Sequence, residues 1–211
     1  MNCKIKVLGL ALCLMLGHLA TYGQVFKSGF EIQKNSDGQL CITKTVYETT
    51  PSYNNSKLRL VRRFWTDGQY NLVHDVVYDI DFVGNAYDAN KTLFTIRMLK
   101  DTRFIKDNKY DIGIADWFYL IAQGMLGGKD YPNATIKHAL FLDKDFIKIT
   151  KIECYSIEGV YAKLCFENIY ADQSFVVVKT DELMKFAKIL NEANLFDKAI
   201  FQKELKEKLK K

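Results

Sequence analysis

The sequence lacks most of the residue patterns from which local active sites are built. It has 3 histidines, no H-E-x-x-H and no close Cys/His pair, so zinc has no recognisable ligand spacing and no metal site is expected. No G-x-S-x-G elbow occurs, which excludes a hydrolase nucleophile presented in that way. Neither G-x-x-x-x-G-K-[ST] nor G-x-G-x-x-G is present, so no loop is set to cradle the phosphates of a nucleotide, and no cofactor is expected. Proline is scarce, at 2 residues, and no stretch rich in Pro, Gly or Ser marks a linker. Charge of one sign is missing too. The 30 basic residues are interleaved with 25 acidic ones, and a formal net charge of +5 is too mild to suggest a nucleic-acid partner. Beyond the N-terminal segment, the longest apolar stretch is WFYLIAQGML at 117–126. It holds Gln123 and Gly124 and falls short of the roughly 20 residues a membrane span needs, so no transmembrane segment is expected in the mature chain.

What is present begins with an export pattern. Lys4 and Lys6 precede the apolar run VLGLALCLML at 7–16. GHLATYG then places Thr21 and Gly23 at the −3 and −1 positions of a signal-peptidase site. Cys13 follows Leu12 rather than small residues, and Cys3 lies too early, so a lipid-anchored cysteine is not expected. Residues 1–23 are read as a secretory signal peptide, and the mature chain as a secreted, periplasmic or extracellular protein. Removing Lys4 and Lys6 lowers the net charge of +5 by two. Cys41, Cys154 and Cys165 remain, and an odd number of cysteines implies at least one thiol outside any internal disulfide. If an internal bond forms, the strand faces favour Cys41 with Cys165.

Residues 24–211 read as a single α+β domain whose 181–211 part is helical. The expected fold is mainly an antiparallel β-hairpin sheet with one short buried helix and two C-terminal helices. Strands are expected over 25–34, 39–48, 57–65, 69–83, 92–100, 135–142, 146–156, 160–170 and 173–179. Polar loops are expected at 48–56 and 84–91. Three Gly-containing turns recur between apolar runs: NSDGQL at 35–40, WTDGQY at 65–70 and SIEGVY at 156–161. Each reads as a bulged hairpin with a three-residue loop ending in Gly. The hydrophobic pattern then pairs Ile32 with Ile42, Phe64 with Tyr70, Leu60 with His74 and Cys154 with Ala162. Tyr155 and Tyr161 become cross-strand neighbours on the face opposite Cys154. Asp116 is expected to cap the helix of 117–126, which is apolar all round and so buried or at an interface. Thr180 is expected to cap the next helix, with Asp181 and Glu182 in its first turn. Asn194 restarts a final helix through Phe201, Leu205 and Leu209, with Glu204 and Lys208 paired four apart.

Three readings of function follow. The first is an exported, non-enzymatic binding or interaction protein, of the kind that serves as an inhibitor or immunity protein of a bacterial envelope. Its partner would be a protein or a small ligand. Aromatic residues carry the candidate surface: Trp65, Tyr70, Tyr155, Tyr161 and Trp117. The second is a small exported hydrolase using carboxylates, with Asp79, Asp81 and His74 as the catalytic candidates. Against it, Asp75, Asp79 and Asp81 also suit the wet face of an antiparallel sheet, with Arg59 and Arg63 across the hairpin as partners. The third is an apolar-ligand pocket walled by 117–126. Asn54, Asn90 and Asn133 lie in N-x-S/T triplets, which matter only if the host glycosylates them.

Overall fold

The computed structural model describes residues 25–27, 29–84, 87–98, 103–106, 110–126, 131–135, 149–168, 173–192 and 194–209. The expected signal peptide at 1–23, His138 and most of the strand expected at 135–142 lie outside the described residues.

The fold is α+β and its strands pair antiparallel, in two sheets of 6 strands. Sheet 1 runs in chain order through β1 (Val25–Lys27), β2 (Phe30–Lys34), β3 (Leu40–Glu48), β4 (Lys57–Thr66), β5 (Val77–Val83) and β6 (Thr92–Met98). Sheet 2 is built from β7 (Arg103–Lys106), β8 (Tyr110–Gly113), β9 (Tyr131–Thr135), β10 (Ile149–Ile157), β11 (Tyr161–Asn168) and β12 (Gln173–Lys179), in the order β12-β11-β10-β9-β7-β8. The helices are α1 (Ile114–Leu126), α2 (Thr180–Leu190) and α3 (Lys198–Leu209). Among the described residues no helix is long and apolar enough to cross a membrane.

Strands of both sheets turn an apolar face toward a shared core. Leu58, Leu60 and Phe64 of β4 and Tyr78, Ile80 and Phe82 of β5 point inward from sheet 1. Ala162, Leu164 and Phe166 of β11 and Val176 and Val178 of β12 do so from sheet 2. The sheets meet where Phe82 packs on Phe166, ring centroids 5.7 Å apart. Helix α1 buries Trp117, Phe118, Ile121 and Ala122, and Phe118 meets Phe186 of α2 at 5.4 Å. The C-terminal helix inserts Phe201, Leu205 and Leu209, and Phe201 stands edge-on to Phe64 at 5.5 Å. Burial of each such side chain contributes about 1.5–3 kcal/mol, which holds α3 against the inner face of sheet 1.

Polar anchors fix α3 in place. Glu204 receives Lys44 at 2.6 Å, Lys208 at 3.3 Å and the Arg62 guanidinium. Arg62 is inward-facing and buried, and it lies over the rings of Phe64 and Phe201 at 4.9 and 4.2 Å. Burial would raise the Glu204 carboxyl, but Lys44 and Arg62 hold it below the usual carboxylate value. Gln202 donates to the Tyr70 carbonyl at 2.8 Å and accepts from the Leu72 N–H at 2.8 Å. One side chain therefore pins the loop between β4 and β5.

The turns carry the clearest differences from expectation. The NSDGQL hairpin forms as predicted: Ile32 faces Ile42, Lys34 faces Leu40 and Gly38 takes φ +85°. The WTDGQY hairpin keeps the turn but shifts the register. Asp67 accepts from the N–H groups of Gln69 and Asn71, and Tyr70, not Gly68, takes the left-handed conformation at φ +63°. The Asp-Gly pair thus starts this turn, whereas it ends the first one. Strand pairing resumes six residues later than predicted, with Leu60 opposite Ile80 and Arg59 opposite Asp81. Residues 69–76 form a loop with a single bridge, Thr66 to Leu72. The SIEGVY hairpin shifts by two, so Cys154 faces Leu164 and Tyr155 faces Lys163. Glu158 and Gly159 both have positive φ, at +55° and +70°. Both shifts are even. Side chains alternate with period two, so an even slip keeps every residue on its face while changing its partner.

Other corrections are local. The single strand expected at 25–34 is a hairpin, with Lys27 opposite Phe30 and Gly29 at φ +78°. Residues 103–106 and 110–113, outside every strand expected from the sequence, are the strands β7 and β8. Helix α1 starts at Ile114, so Asp116 sits in its first turn rather than at its cap. Lys179, not Thr180, precedes α2, and the buried Thr180 hydroxyl has no hydrogen-bond partner. Asp197, not Asn194, caps α3, accepting from the Ala199 N–H at 2.8 Å. The 49–56 loop closes onto sheet 2: Ser56 Oγ accepts from the Val177 N–H at 2.7 Å and donates to the Val177 carbonyl at 3.2 Å. Strand β12 is an edge, and this contact caps part of it.

Candidate functional site

The outer face of sheet 2 alternates with the core residues just described. Glu153 and Tyr155 come from β10, Tyr161, Lys163, Cys165 and Glu167 from β11, and Phe175 from β12. The pairing sets Cys165 between Glu153 and Phe175, and Lys163 beside Tyr155. All of these except Tyr161 line a groove of about 500 Å³. Its rings are uncovered: Tyr155 is 40% and Phe175 44% exposed. The Lys163 ammonium lies 4.3 Å from the centre of the Phe175 ring, and the Tyr155 hydroxyl donates to Glu153 at 2.7 Å. The aromatic surface continues to Tyr161, which packs edge-on against the exposed Tyr53 at 5.1 Å. Two rings flanked by carboxylates and an ammonium can bind another surface by burying apolar area and by pairing charges at its edge.

The outer face of sheet 1 is of a different kind. Asp79 is 1% exposed. Its Oδ2 accepts from Arg63 Nε at 2.9 Å and Nη2 at 2.6 Å, and its Oδ1 from Arg97 Nε at 2.9 Å. Asp81 accepts from Arg59 Nε at 3.1 Å and Nη2 at 2.9 Å, and from the Thr95 hydroxyl at 2.6 Å. Arg63 Nη1 also donates to Cys41 Sγ at 3.5 Å. Burial disfavours the Arg63 charge, but the Asp79 carboxylate outweighs it and raises the guanidinium further. The expectation of a wet, solvated acidic face is therefore corrected: the arginines lie over the acids and exclude water from Asp79. Arg59 and Arg63 are their partners, as the sequence suggested.

The remaining candidates fall in separate places. His74 is not on an apolar strand face. It lies exposed in the 69–76 loop, edge-on to Trp65 at 6.2 Å. It is thus apart from the hydrogen-bonded network of Asp79 and Asp81. Asp75 is paired with Lys198, which holds its carboxyl below the usual value. Tyr70 packs against the core and gives its carbonyl to Gln202. Trp117 is core, 2% exposed and against Phe118 at 5.0 Å, because α1 is enclosed by its neighbours. It cannot contribute to a surface or wall an accessible pocket. Tyr155 and Tyr161 share the outer face but are not direct cross-strand partners.

Phe175 and Lys163 were not among the sequence candidates. Strand alternation could have found Phe175, since Val176 and Val178 point inward. Cys41, Cys154 and Cys165 stand as thiols, with Cys41 and Cys165 on the outer faces of different sheets and no bond between them. Among the described residues no group of three or more His, Cys, Asp or Glu is arranged to hold a metal ion. No protein family, curated protein or solved structure matches the chain.

Proposed function

We propose that this chain is an exported, non-enzymatic binding protein that recognises a protein partner through the outer face of sheet 2. The observation that carries this reading is the exposure of Tyr155 and Phe175 on a sheet face beside Lys163, Glu153 and Glu167. Rings held on strands present contact area at little entropic cost, and such residues dominate binding energy at interfaces. The pairing of Asp79 and Asp81 with arginines supports the reading further, since the two acids most open to a catalytic assignment already serve sheet 1.

The experiment is a pull-down with residues 24–211 as bait against envelope and culture fractions of the source organism, read by mass spectrometry. The same bait carrying Tyr155→Ala and Phe175→Ala is run in parallel. A stoichiometric, salt-resistant protein retained by the first and lost by the second is expected. A partner retained equally by both moves the interface elsewhere, and a blank with both removes the reading.

A further inference from the structure

A second surface lies at the end of sheet 1, where the β2–β3 turn, the last residues of β4 and the 69–76 loop converge. Its groove, of about 370 Å³, is lined by Asn35, Gln39, Trp65, His74, Asp75 and Val77. Trp65 and His74 stand at 78° to each other and form an aromatic corner. The backbone of Asn35 is used in the turn, donating to the Gln39 carbonyl at 3.0 Å and accepting from Gly38 at 3.1 Å. Its side-chain Oδ1, by contrast, is buried without a hydrogen-bond partner in the protein. That atom is closed to solvent, so a ligand in the groove meets the rest of the half-buried Asn35 side chain and the Gln39 amide. The groove also carries little net charge, because Asp75 is neutralised by Lys198.

We infer that this groove binds a neutral saccharide. Pyranose rings present C–H faces to an aromatic ring, whose face is electron-rich, and hydroxyls to amides and imidazole. An aromatic corner with Asn35, Gln39 and His74 beside it supplies both. An ionic ligand would find no uncompensated charge there, and a purely apolar one would bury the amide groups unpaired. This inference does not rest on the sheet 2 interface, which is on the other sheet.

The test uses the protein's own reporters. It has 2 tryptophans, so Trp117→Phe leaves Trp65 as the only indole. Cellobiose, maltose and N,N′-diacetylchitobiose are titrated to about 10 mM, with sodium phosphate as an ionic comparison. A saturable change in Trp65 emission with at least one disaccharide is expected. Asn35→Ala with Gln39→Ala should weaken it about tenfold, and Tyr155→Ala with Phe175→Ala should leave it unchanged. Because Trp117 is a core residue, the shift of the Trp65 indole N–H resonance in the unmodified chain is the second readout. No response to any disaccharide in either readout overturns the inference. So does a response to phosphate alone, or one that the Asn35 and Gln39 substitutions do not weaken.

Discussion

The outer faces of the two sheets differ in how they treat their polar residues. On sheet 1, three arginines are spent on two aspartates, and Asp79 ends up as buried as a core leucine. On sheet 2, the charged residues stand at the edge of an aromatic groove and leave Tyr155 and Phe175 in water. Both faces alternate apolar and polar residues with the same period, and both belong to antiparallel sheets. The difference teaches that mixed charge on a strand has two uses. Where acids and bases meet across the ladder they compensate one another and become structure. On sheet 2 it is the rings beside them that stay exposed.

This contrast can be tested, from the largest expected effect to the smallest. Asp79→Ala leaves Arg63 and Arg97 facing one another without their shared anion. We expect a loss of about 3 kcal/mol in urea denaturation, toward the lower end for a broken buried pair because the guanidinium groups keep some water. Arg63→Lys keeps the charge but loses the two-pronged contact with Asp79, and should cost about 1–2 kcal/mol by the same measurement. A near-neutral result for both would show that sheet 1 and sheet 2 do not differ in kind.

The anchor of α3 gives a pH test with a defined sign. The Glu204 carboxyl is held below its unfolded value of 4.5, with Lys44 and Arg62 overcoming the opposing effect of burial. The unfolded chain therefore binds more protons on acidification. The stabilisation is complete above about pH 4.5 and falls away as pH drops through the folded value. Glu182 acts in the same direction, through Lys185 at 2.6 Å, the Thr50 N–H at 3.1 Å and the Tyr47 hydroxyl at 3.0 Å. Urea melts of the wild type and Glu204→Gln between pH 6 and pH 3 should converge toward the acid end. A constant gap between them would deny Glu204 its role.

On sheet 2 the expectation is a small change in stability. Tyr155→Ala and Phe175→Ala should each alter stability by less than about 1 kcal/mol, as substitutions at half-exposed positions do. The same pair should abolish partner capture. If Phe175→Ala were as costly to folding as Asp79→Ala, the ring would be part of the fold rather than an available surface.

The sequence alone determined which residues of β4, β5 and β11 face the core, the chemistry of the first turn and the apolar stripe of α3. These depend on periodicity and on short-range geometry, which the chain carries locally. Gly38 ends the first turn because its residue must take positive φ, and Asp-Gly announced that position. Parity could not choose among even registers, and here two hairpins slipped by six and by two. The signal that could have chosen for the first was charge, since the observed register gives both Asp79 and Asp81 arginine partners while the predicted one set Arg59 against Asp75. Only the tertiary structure decided what covers each face. Gln202 of α3 pins the 69–76 loop at Tyr70 and Leu72, and His74 lies exposed in that loop beside Trp65. Packing of α1 among the sheets and α2 made Trp117 core. Burial and partnership are set by elements far apart in the chain, and no local pattern encodes which of them will meet.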